Sequence, residues 1–294
     1  MPELPEVETI RRGLESFIKN AKITKVEVLC GKSFIGPKEL VEGQKIKAFR
    51  RKGKALLLDL ENGITMMVHL RMTGQLIFRK TGSKSTNDSF AGGHPTDSFL
   101  NELPDNQTRV IFELENGKLY FNDQRKFGFI KVLETLEVEN DKFIKSLAKE
   151  PWEMSEKEFE ENLMRHKSAP IKATILDQKV IAGLGNIYAD EALFYAKIHP
   201  KRKTGSLTKA EIRKLLEGAK SVMEASINSG GSTMKTYVKA DGTKGDYLRL
   251  FAKVFRREGE PCEKCGAEII KIRVAGRGTH ICPNCQKLVE KERK

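Results

Sequence analysis

Between residues 5 and 19 the apolar positions Val7, Ile10, Leu14, Phe17 and Ile18 recur three and four apart, the repeat of a single helical face. Pro5 suits a first helical turn, and Glu6 and Glu8 suit the positive end of the helix dipole. The pattern then shortens. Apolar or alternating runs at 25–30, 55–60, 64–70, 75–78, 108–115 and 118–121 predict β-strands. Asn62-Gly63 and Asn116-Gly117 fall between such runs, and Asn-Gly favours the two-residue hairpin turn because both residues tolerate positive φ. These elements predict a β-sandwich-like domain with the first helix packed against it. Residues 80–107, rich in Gly, Ser, Thr, Asn and Asp, break the pattern and read as a long structureless loop. The second half reads as helical. Ser155 with Glu158, and Thr208 with Glu211, each have capping-box spacing. The second box opens a helix carrying Ile212, Leu215, Leu216, Val222, Met223 and Ile227, which Ser229-Gly230-Gly231 ends. The switch from strands to helices places a domain boundary within 137–154.

Composition adds a partner class. Of 294 residues, 39% are hydrophobic and 32% charged, enough for packed cores and, at this length, for two domains. Lys and Arg number 53 against 40 Asp and Glu, a formal charge of +13, which points to a polyanion such as nucleic acid. No apolar run approaches the ~18 residues of a membrane span. The start MPELPEVETI is acidic and proline-rich where a signal peptide needs positive charge and an apolar core. A cytoplasmic, nucleoid-associated protein follows, with no membrane association and no disulfide scaffold expected.

The cysteines sharpen this. Cys262-Glu-Lys-Cys265 and Cys282-Pro-Asn-Cys285 enclose sixteen residues, the spacing of a tetrathiolate zinc site. Four thiolates leave no position for water, so the one Zn2+ is structural, and it supplies folding energy that so short a module lacks in core area. From 251 to 294 eleven lysines and arginines stand against six glutamates. Arg277, flanked by Gly276 and Gly278, reads as a hairpin tip able to approach a phosphate backbone. Cys30, in a strand-like run, reads as a small core thiol.

The N-terminus carries a second chemistry. A small residue after Met1 normally permits removal of the methionine, leaving Pro2 with a free secondary amine. An α-amino group has a pKa of ~7.8 against ~10.4 for lysine, so it is far more often neutral and nucleophilic at pH 7. A secondary amine on a carbonyl-like carbon gives a cationic iminium, an electron sink for elimination. Glu3 and Glu6 could protonate a sugar oxygen or leaving group. The same residues also read as an ordinary helix start.

The opening MPELPEVETIRRGLE resembles the formamidopyrimidine-DNA glycosylases, bacterial base-excision enzymes for oxidised purines. Further stretches fit the same family in order along nearly the whole chain: Gly53-Lys54 before Ala55-Leu-Leu-Leu, Val68-His69-Leu-Arg-Met72-Thr-Gly74, Asp123-Gln-Arg125-Lys-Phe127-Gly128, Ala182-Gly-Leu-Gly-Asn186-Ile-Tyr-Ala-Asp-Glu191, and Val274-Ala-Gly-Arg277-Gly-Thr-His before the second cysteine pair. The resemblance implies an α+β protein: a catalytic β-sandwich with its flanking helix over 1–136, a linker at 137–154, a helix–two-turns–helix domain over 155–250 and a zinc finger over 251–294, with damaged double-stranded DNA held between them by a monomer. It implies a bifunctional glycosylase and AP lyase that removes 8-oxoguanine and formamidopyrimidines, then cuts the strand by β- and δ-elimination. An endonuclease VIII-like enzyme for oxidised pyrimidines, or a non-catalytic damage-binding protein, are the alternatives.

By the same resemblance Pro2 is the nucleophile, Glu3 the proton donor to the deoxyribose, Glu6 a supporting carboxylate and Lys54 a proton donor near the lesion. Arg277 binds phosphates and assists the last elimination. His69 and Asn186 join Lys54 and Arg277 on the phosphates flanking the lesion, and Lys167 is a further basic contact. The Gly183-Leu-Gly185-Asn186 turn opens a helix, where amides bind anions and the Asn side chain caps the helix or donates to phosphate. A glycosylase must extrude its base and fill the hole, and Met72, Arg125 and Phe127 match the residues that do so. Read alone, Met72 and Phe127 would be core residues, His69 a satisfied core histidine and Lys54 a surface lysine. Three departures stand out. The 80–107 loop is long. Asp105-Asn-Gln-Thr-Arg109 replaces a common Lys-His pair, which leaves Gln107 as the DNA contact there. Val254-Phe-Arg256-Arg257 stands where Val-Tyr-Gly-Arg is common.

Overall fold

Burial of the apolar stripe decides the first element. In the computed structural model, which describes residues 1–82, 88–94, 98, 102–230 and 251–288, helix α1 (Leu4–Ile18) buries Leu4, Val7, Ile10, Leu14 and Ile18. Glu3, in extended conformation, is its N-cap. The helix lies so close to the following sheet that a Cβ on Gly13 would sit 2.1 Å from the Phe90 ring, so only glycine fits there.

Two five-stranded sheets make the sandwich. The first has the order β1 (Ile23–Val28), β8 (Thr108–Leu114), β9 (Gly117–Asp123), β6 (Gly74–Lys80), β7 (Ser89–Gly93), antiparallel throughout. The second has the order β2 (Phe34–Ile35), β10 (Phe129–Glu134), β5 (Ile64–His69), β4 (Ala55–Leu60), β3 (Ile46–Lys52), antiparallel except for the β2–β10 pair. Inward side chains of both sheets, among them Leu56, Met66, Val68, Phe78, Val110, Phe112, Phe121 and Ile130, form one core with the buried face of α1. Each such side chain contributes about 1.5–3 kcal/mol on burial.

Two expectations are corrected here. The 80–107 stretch is not structureless: residues 89–93 form edge strand β7, paired to β6 from Gln75–Gly93 to Arg79–Ser89. Its composition, Ser-Phe-Ala-Gly-Gly, has too few apolar residues to announce a strand. The rest of this stretch lies partly outside the described residues. Cys30 is half-buried at the end of β1 rather than in the core, where it precedes a single 3-10 turn.

The described residues divide into two compact units, the first within 1–145 and the second 146–228 with 251–288. The first ends in the one-turn helix α2 (Lys142–Lys145); in the second, α3 (Glu156–Met164) starts at Ser155, whose hydroxyl accepts from Glu158 N at 3.2 Å. Helix α4 (Ile171–Ile175) follows, then α5 (Asn186–Ala196) and α6 (Lys209–Asn228). Thr208 and Glu211 cap α6 reciprocally, Thr208 N donating to the Glu211 carboxylate at 2.8 Å and Glu211 N to the Thr208 hydroxyl at 3.3 Å. Helix α5 is buried nearly all round and packs along α6, with Tyr188 Oη and Ser226 Oγ 2.5 Å apart. The hairpin β11 (Ile270–Val274) and β12 (Arg277–Ile281) completes the unit.

Candidate active site and metal centre

In the first unit the site residues lie where α1 begins, in the β3–β4 hairpin turn, and on the β5–β6 and β9–β10 connections that cross between the sheets. Pro2 and Glu3 are buried. The Glu3 N–H donates to the Glu6 carboxylate at 2.8 Å, one half of a capping box that fixes the first turn. In the next turn, Glu8 accepts from Arg11, Arg12 and Arg51. These guanidiniums hold its carboxyl below the usual range against the opposing effect of burial. Arg51 also donates to the Gly53 carbonyl at 3.1 Å, so Glu8 ties helix α1 to the Gly53-Lys54 turn between β3 and β4. Lys54 is buried in that turn rather than displayed on a strand.

His69 ends β5, beside Ala55 of β4. It is buried, its Nδ1 accepts from Arg71 N at 3.0 Å, and its ring stacks on Phe129 and meets Phe143 edge-on. Burial, reinforced by the positive charges of Arg71 and Lys54, lowers its pKa to about 3. The imidazole is therefore neutral at pH 7. With Nδ1 occupied as an acceptor, its proton sits on Nε2, a donor suited to a phosphate oxygen.

Met72 and Phe127 are not core residues: they are 43% and 58% exposed, on two short turns. The Arg125 guanidinium lies 5.1 Å over the Phe127 ring, and Lys126 between them has positive φ. Both turns are anchored to Asp123, fully buried at the end of β9. Its Oδ1 accepts from Thr73 Oγ1 and from Arg125 N at 3.2 Å, and its Oδ2 accepts from Gly128 N at 2.6 Å. Asp123 and the chain's N-terminal amine also act electrostatically on His94, in opposite directions, which places both near that ring; burial dominates and lowers its pKa. Gln107 is half-buried; its carbonyl accepts from Asp123 N, and its side-chain oxygen is occluded with no partner among the described residues.

In the second unit Arg277 and Asn186 meet at the zinc hairpin. The hairpin tip is Ala275-Gly276, both with positive φ, as a two-residue turn demands. Arg277 is the first residue of the return strand, paired with Val274 and exposed, so the expectation that it forms the tip is corrected by one residue. Behind it lies a buried lock. Lys172 Nζ and Asp190 Oδ1 are 2.6 Å apart, both fully buried. Lys172 also donates to Thr279 Oγ1 at 2.8 Å and to the Gly278 carbonyl at 3.1 Å, while Asp190 accepts from His280 N at 3.0 Å. Asn186 does not cap α5; Gly185 is the N-cap, and Asn186 Nδ2 donates to the Gly278 carbonyl at 3.1 Å. Asn186 and the Arg277 strand are thus joined at the amino end of α5, where backbone N–H groups favour an anion. Lys167 is exposed in the turn after α3, its carbonyl accepting from Gly205 N.

Cys262, Cys265, Cys282 and Cys285 bring their sulfurs within 4.8 Å of one another, with contacts of 3.4, 3.5 and 4.0 Å. A tetrahedron with Zn–S near 2.3 Å requires sulfurs about 3.8 Å apart, so the set fits one zinc ion. The Ala267 N–H and the Asn284 side chain hold the Cys265 thiol down to about 6, while burial and the neighbouring thiols push Cys285 up to about 12. Four thiolates so close need a cation between them. Cys262 and Cys282 pack with Val254, Ile269 and Phe194 of α5, which docks the module on the helix. Glu191, on the same helix and fully buried, accepts from the N–H groups of Lys253, Val254 and Phe255. Burial raises its pKa despite these donors.

Sequence reasoning missed Asp123, Arg71, Lys172 and Asp190 as parts of the site. Asp123, Asp190 and Arg71 lie inside the motifs, but Asp123 and Asp190 are buried and Arg71 lies over the Phe129 and Phe143 rings, and only the fold shows what they hold.

Three sequence profiles match the chain in succession: the formamidopyrimidine-DNA glycosylase N-terminal domain over residues 1–130, the H2TH domain of the same enzymes over 147–238, and a zinc finger found in them and in isoleucyl-tRNA synthetase over 259–288. A formamidopyrimidine-DNA glycosylase of Pelotomaculum thermopropionicum is 42% identical over 98% of this chain and all of its own length, and one of Listeria innocua is 41% identical over the same shares. Among solved structures, a Lactococcus lactis variant bound to DNA containing Fapy-dG superposes with a TM-score of 0.84 at 34% identity, covering 97% of this chain and 100% of the other. The Thermus thermophilus protein does so at 0.82 and 36% identity, covering 97% and 98%.

Proposed function

The chain belongs to the formamidopyrimidine-DNA glycosylase family, base-excision-repair enzymes, and on that premise we propose how its own residues divide the work. Pro2, freed of Met1, attacks C1′ of the damaged nucleotide through its neutral amine nitrogen. The N-glycosidic bond breaks with its electron pair, and the proton shed by the amine nitrogen, going to the base, and Glu3 protonates the sugar ring oxygen as the ring opens. The product is an iminium between Pro2 and C1′. Loss of the C2′ proton then expels the 3′ phosphate, and a second elimination expels the 5′ phosphate. Water hydrolyses the remaining iminium and returns the free amine.

One observation carries this reading: Pro2 and Glu3 are buried, and the Glu3 backbone is clamped by Glu6, so the nucleophile and its acid are held in one place. Effective concentration, rather than exotic chemistry, then supplies much of the rate. Lys54 acts beside the lesion, and neutral His69 donates Nε2–H to a phosphate. Met72, Arg125 and Phe127 enter the duplex to replace the extruded base, while Asn186, Arg277, Lys167 and Gln107 hold the backbone. The charge of +13 makes the affinity sequence-independent and salt-sensitive. The substrates are oxidised purines; related structures hold Fapy-dG and carbocyclic 8-oxoguanine DNA. The protein acts as a monomer in the cytoplasm, and no described helix is long and apolar enough to cross a membrane.

Borohydride trapping on an 8-oxoguanine:C duplex, paired with intact-mass measurement, tests the proposal. Protein lacking Met1 forms a covalent DNA adduct, and Pro2→Gly loses it. Equal trapping by Pro2→Gly, or activity in protein that retains Met1, defeats the assignment. A thymine-glycol duplex cleaved in preference to 8-oxoguanine defeats the purine assignment alone.

A further inference from the structure

We propose that Asp123 is a positioning residue that sets the two exposed turns in one register, so that Met72, Arg125 and Phe127 enter DNA as a single wedge. The inference rests on the wedge reading above and adds the residue that makes it rigid.

The argument starts from what the wedge side chains lack. Met72 and Phe127 project into solvent, so their own packing cannot order the turns that carry them. Arg71 and Lys126, beside them, have positive φ, a conformation that disfavours non-glycine residues and has to be imposed from outside. Asp123 is the group that reaches both turns. Thr73, next to Met72, donates its hydroxyl to Oδ1. The amides of Arg125 and Gly128, on either side of Phe127, donate to Oδ1 and Oδ2. Arg125 N also reaches Thr73 Oγ1 at 3.1 Å, which closes a ring of bonds between the turns.

The carboxylate is itself fixed through its backbone. Asp123 N donates to the Gln107 carbonyl at 2.9 Å, and its own carbonyl accepts from the buried Arg109 Nε at 2.8 Å. Gly128 is part of the device. A Cβ there would lie 2.9 Å from the Phe121 ring, 3.1 Å from Asp123 Oδ2 and 3.2 Å from the His69 carbonyl, so a side chain would push the amide off the carboxylate. Only an acceptor at both oxygens satisfies donors from both turns. Asn has the same shape but turns an N–H2 toward one of them. Fully buried and occupied by these donors, Asp123 does not touch the nucleotide; it acts through the turns.

The test uses the full zinc-loaded protein and a duplex with 2-aminopurine beside 8-oxoguanine, whose fluorescence reports unstacking. Asp123→Asn is expected to lower single-turnover excision by about 10²-fold, the cost of misplacing reacting groups by an ångström, and to lose the fluorescence step. Phe127→Ala loses the same step. The double variant is no slower than the slower single one, because both changes disable one wedge. Losses that multiply in the double variant, or an unchanged fluorescence step in Asp123→Asn, overturn the proposal. If Asp123→Asn does not fold, Thr73→Val, which removes the hydroxyl bond linking the turns, is judged by the same two readouts. Full excision by Met72→Ala, Arg125→Ala and Phe127→Ala alike overturns the wedge reading and the proposal with it, a result distinct from failure of Asp123 alone.

Discussion

The first unit holds its reactive turns over a large core, whereas the second holds Arg277 with a metal ion and a buried ion pair. In the sandwich, α1 and ten strands' worth of inward side chains fix the backbone, and short hydrogen-bonded loops emerge from it. The zinc hairpin has two strands and a small apolar cluster shared with α5. So little surface cannot order a module by hydrophobic burial alone. Four thiolates and the Lys172–Asp190 lock replace it. Both solutions serve the same end, a charged or apolar group exposed yet immobile, and they differ in what removes that rigidity.

The largest effect expected is metal removal. Chelation of the zinc, or Cys262→Ser, should abolish the fold of the 251–288 module, since zinc-finger ions contribute roughly 10–16 kcal/mol of folding free energy in isolated peptides. Hydrogen exchange resolved by segment would show protection lost there and in the amino end of α5, with the sandwich unchanged. Equal loosening of the sandwich would erase the contrast. Next comes Lys172→Ala, which leaves Asp190 buried without its cation. Breaking such a pair costs about 3–5 kcal/mol, so Arg277 loses its order and duplex affinity falls while zinc stays bound. An unchanged affinity would mean the metal suffices.

Acid distinguishes the units in the other direction. His69 has its pKa depressed to about 3 from 6.5, so below 6.5 the unfolded chain takes up a proton that the folded one refuses. Stability of the sandwich is therefore full above that pH and declines as pH falls toward 3, by up to a few kcal/mol. His69→Gln should flatten this dependence, read from denaturant midpoints between pH 7 and 4; an unaltered slope assigns it elsewhere. The smallest change in stability belongs to Phe127→Ala, under about 0.5 kcal/mol for so exposed a side chain. Its excision rate should nevertheless fall about tenfold or more, and a thermal midpoint that drops with it would make Phe127 structural after all.

The sequence made α1, the strands of strong alternation and the zinc spacing legible because each follows a local rule. It did not reveal β3, Ile-Lys-Ala-Phe-Arg-Arg-Lys, whose charges mask its alternation, or β7, which depends on β6 for its conformation. The motif residues were legible as types. Their exposure was not: Met72 and Phe127 look like core residues until the turns turn them outward, and Lys54 looks like surface until the hairpin buries it. The residues that hold others, Asp123 and the Lys172–Asp190 pair, also have partners 50 to more than 100 positions away, a relation that no window of sequence contains.

The outer strands of the two sheets bear on a different problem, self-association. The strands at the four sheet borders are β1, β7, β2 and β3. Of these, β3 carries four Lys or Arg residues, β1 alternates Lys25 and Glu27, β2 has only two residues, and β7 ends in paired glycines. Each is a poor template for a strand from another molecule, by like-charge repulsion, brevity or weak β-propensity. Copies crowded along one stretch of DNA would thus stay separate rather than join border to border into aggregates.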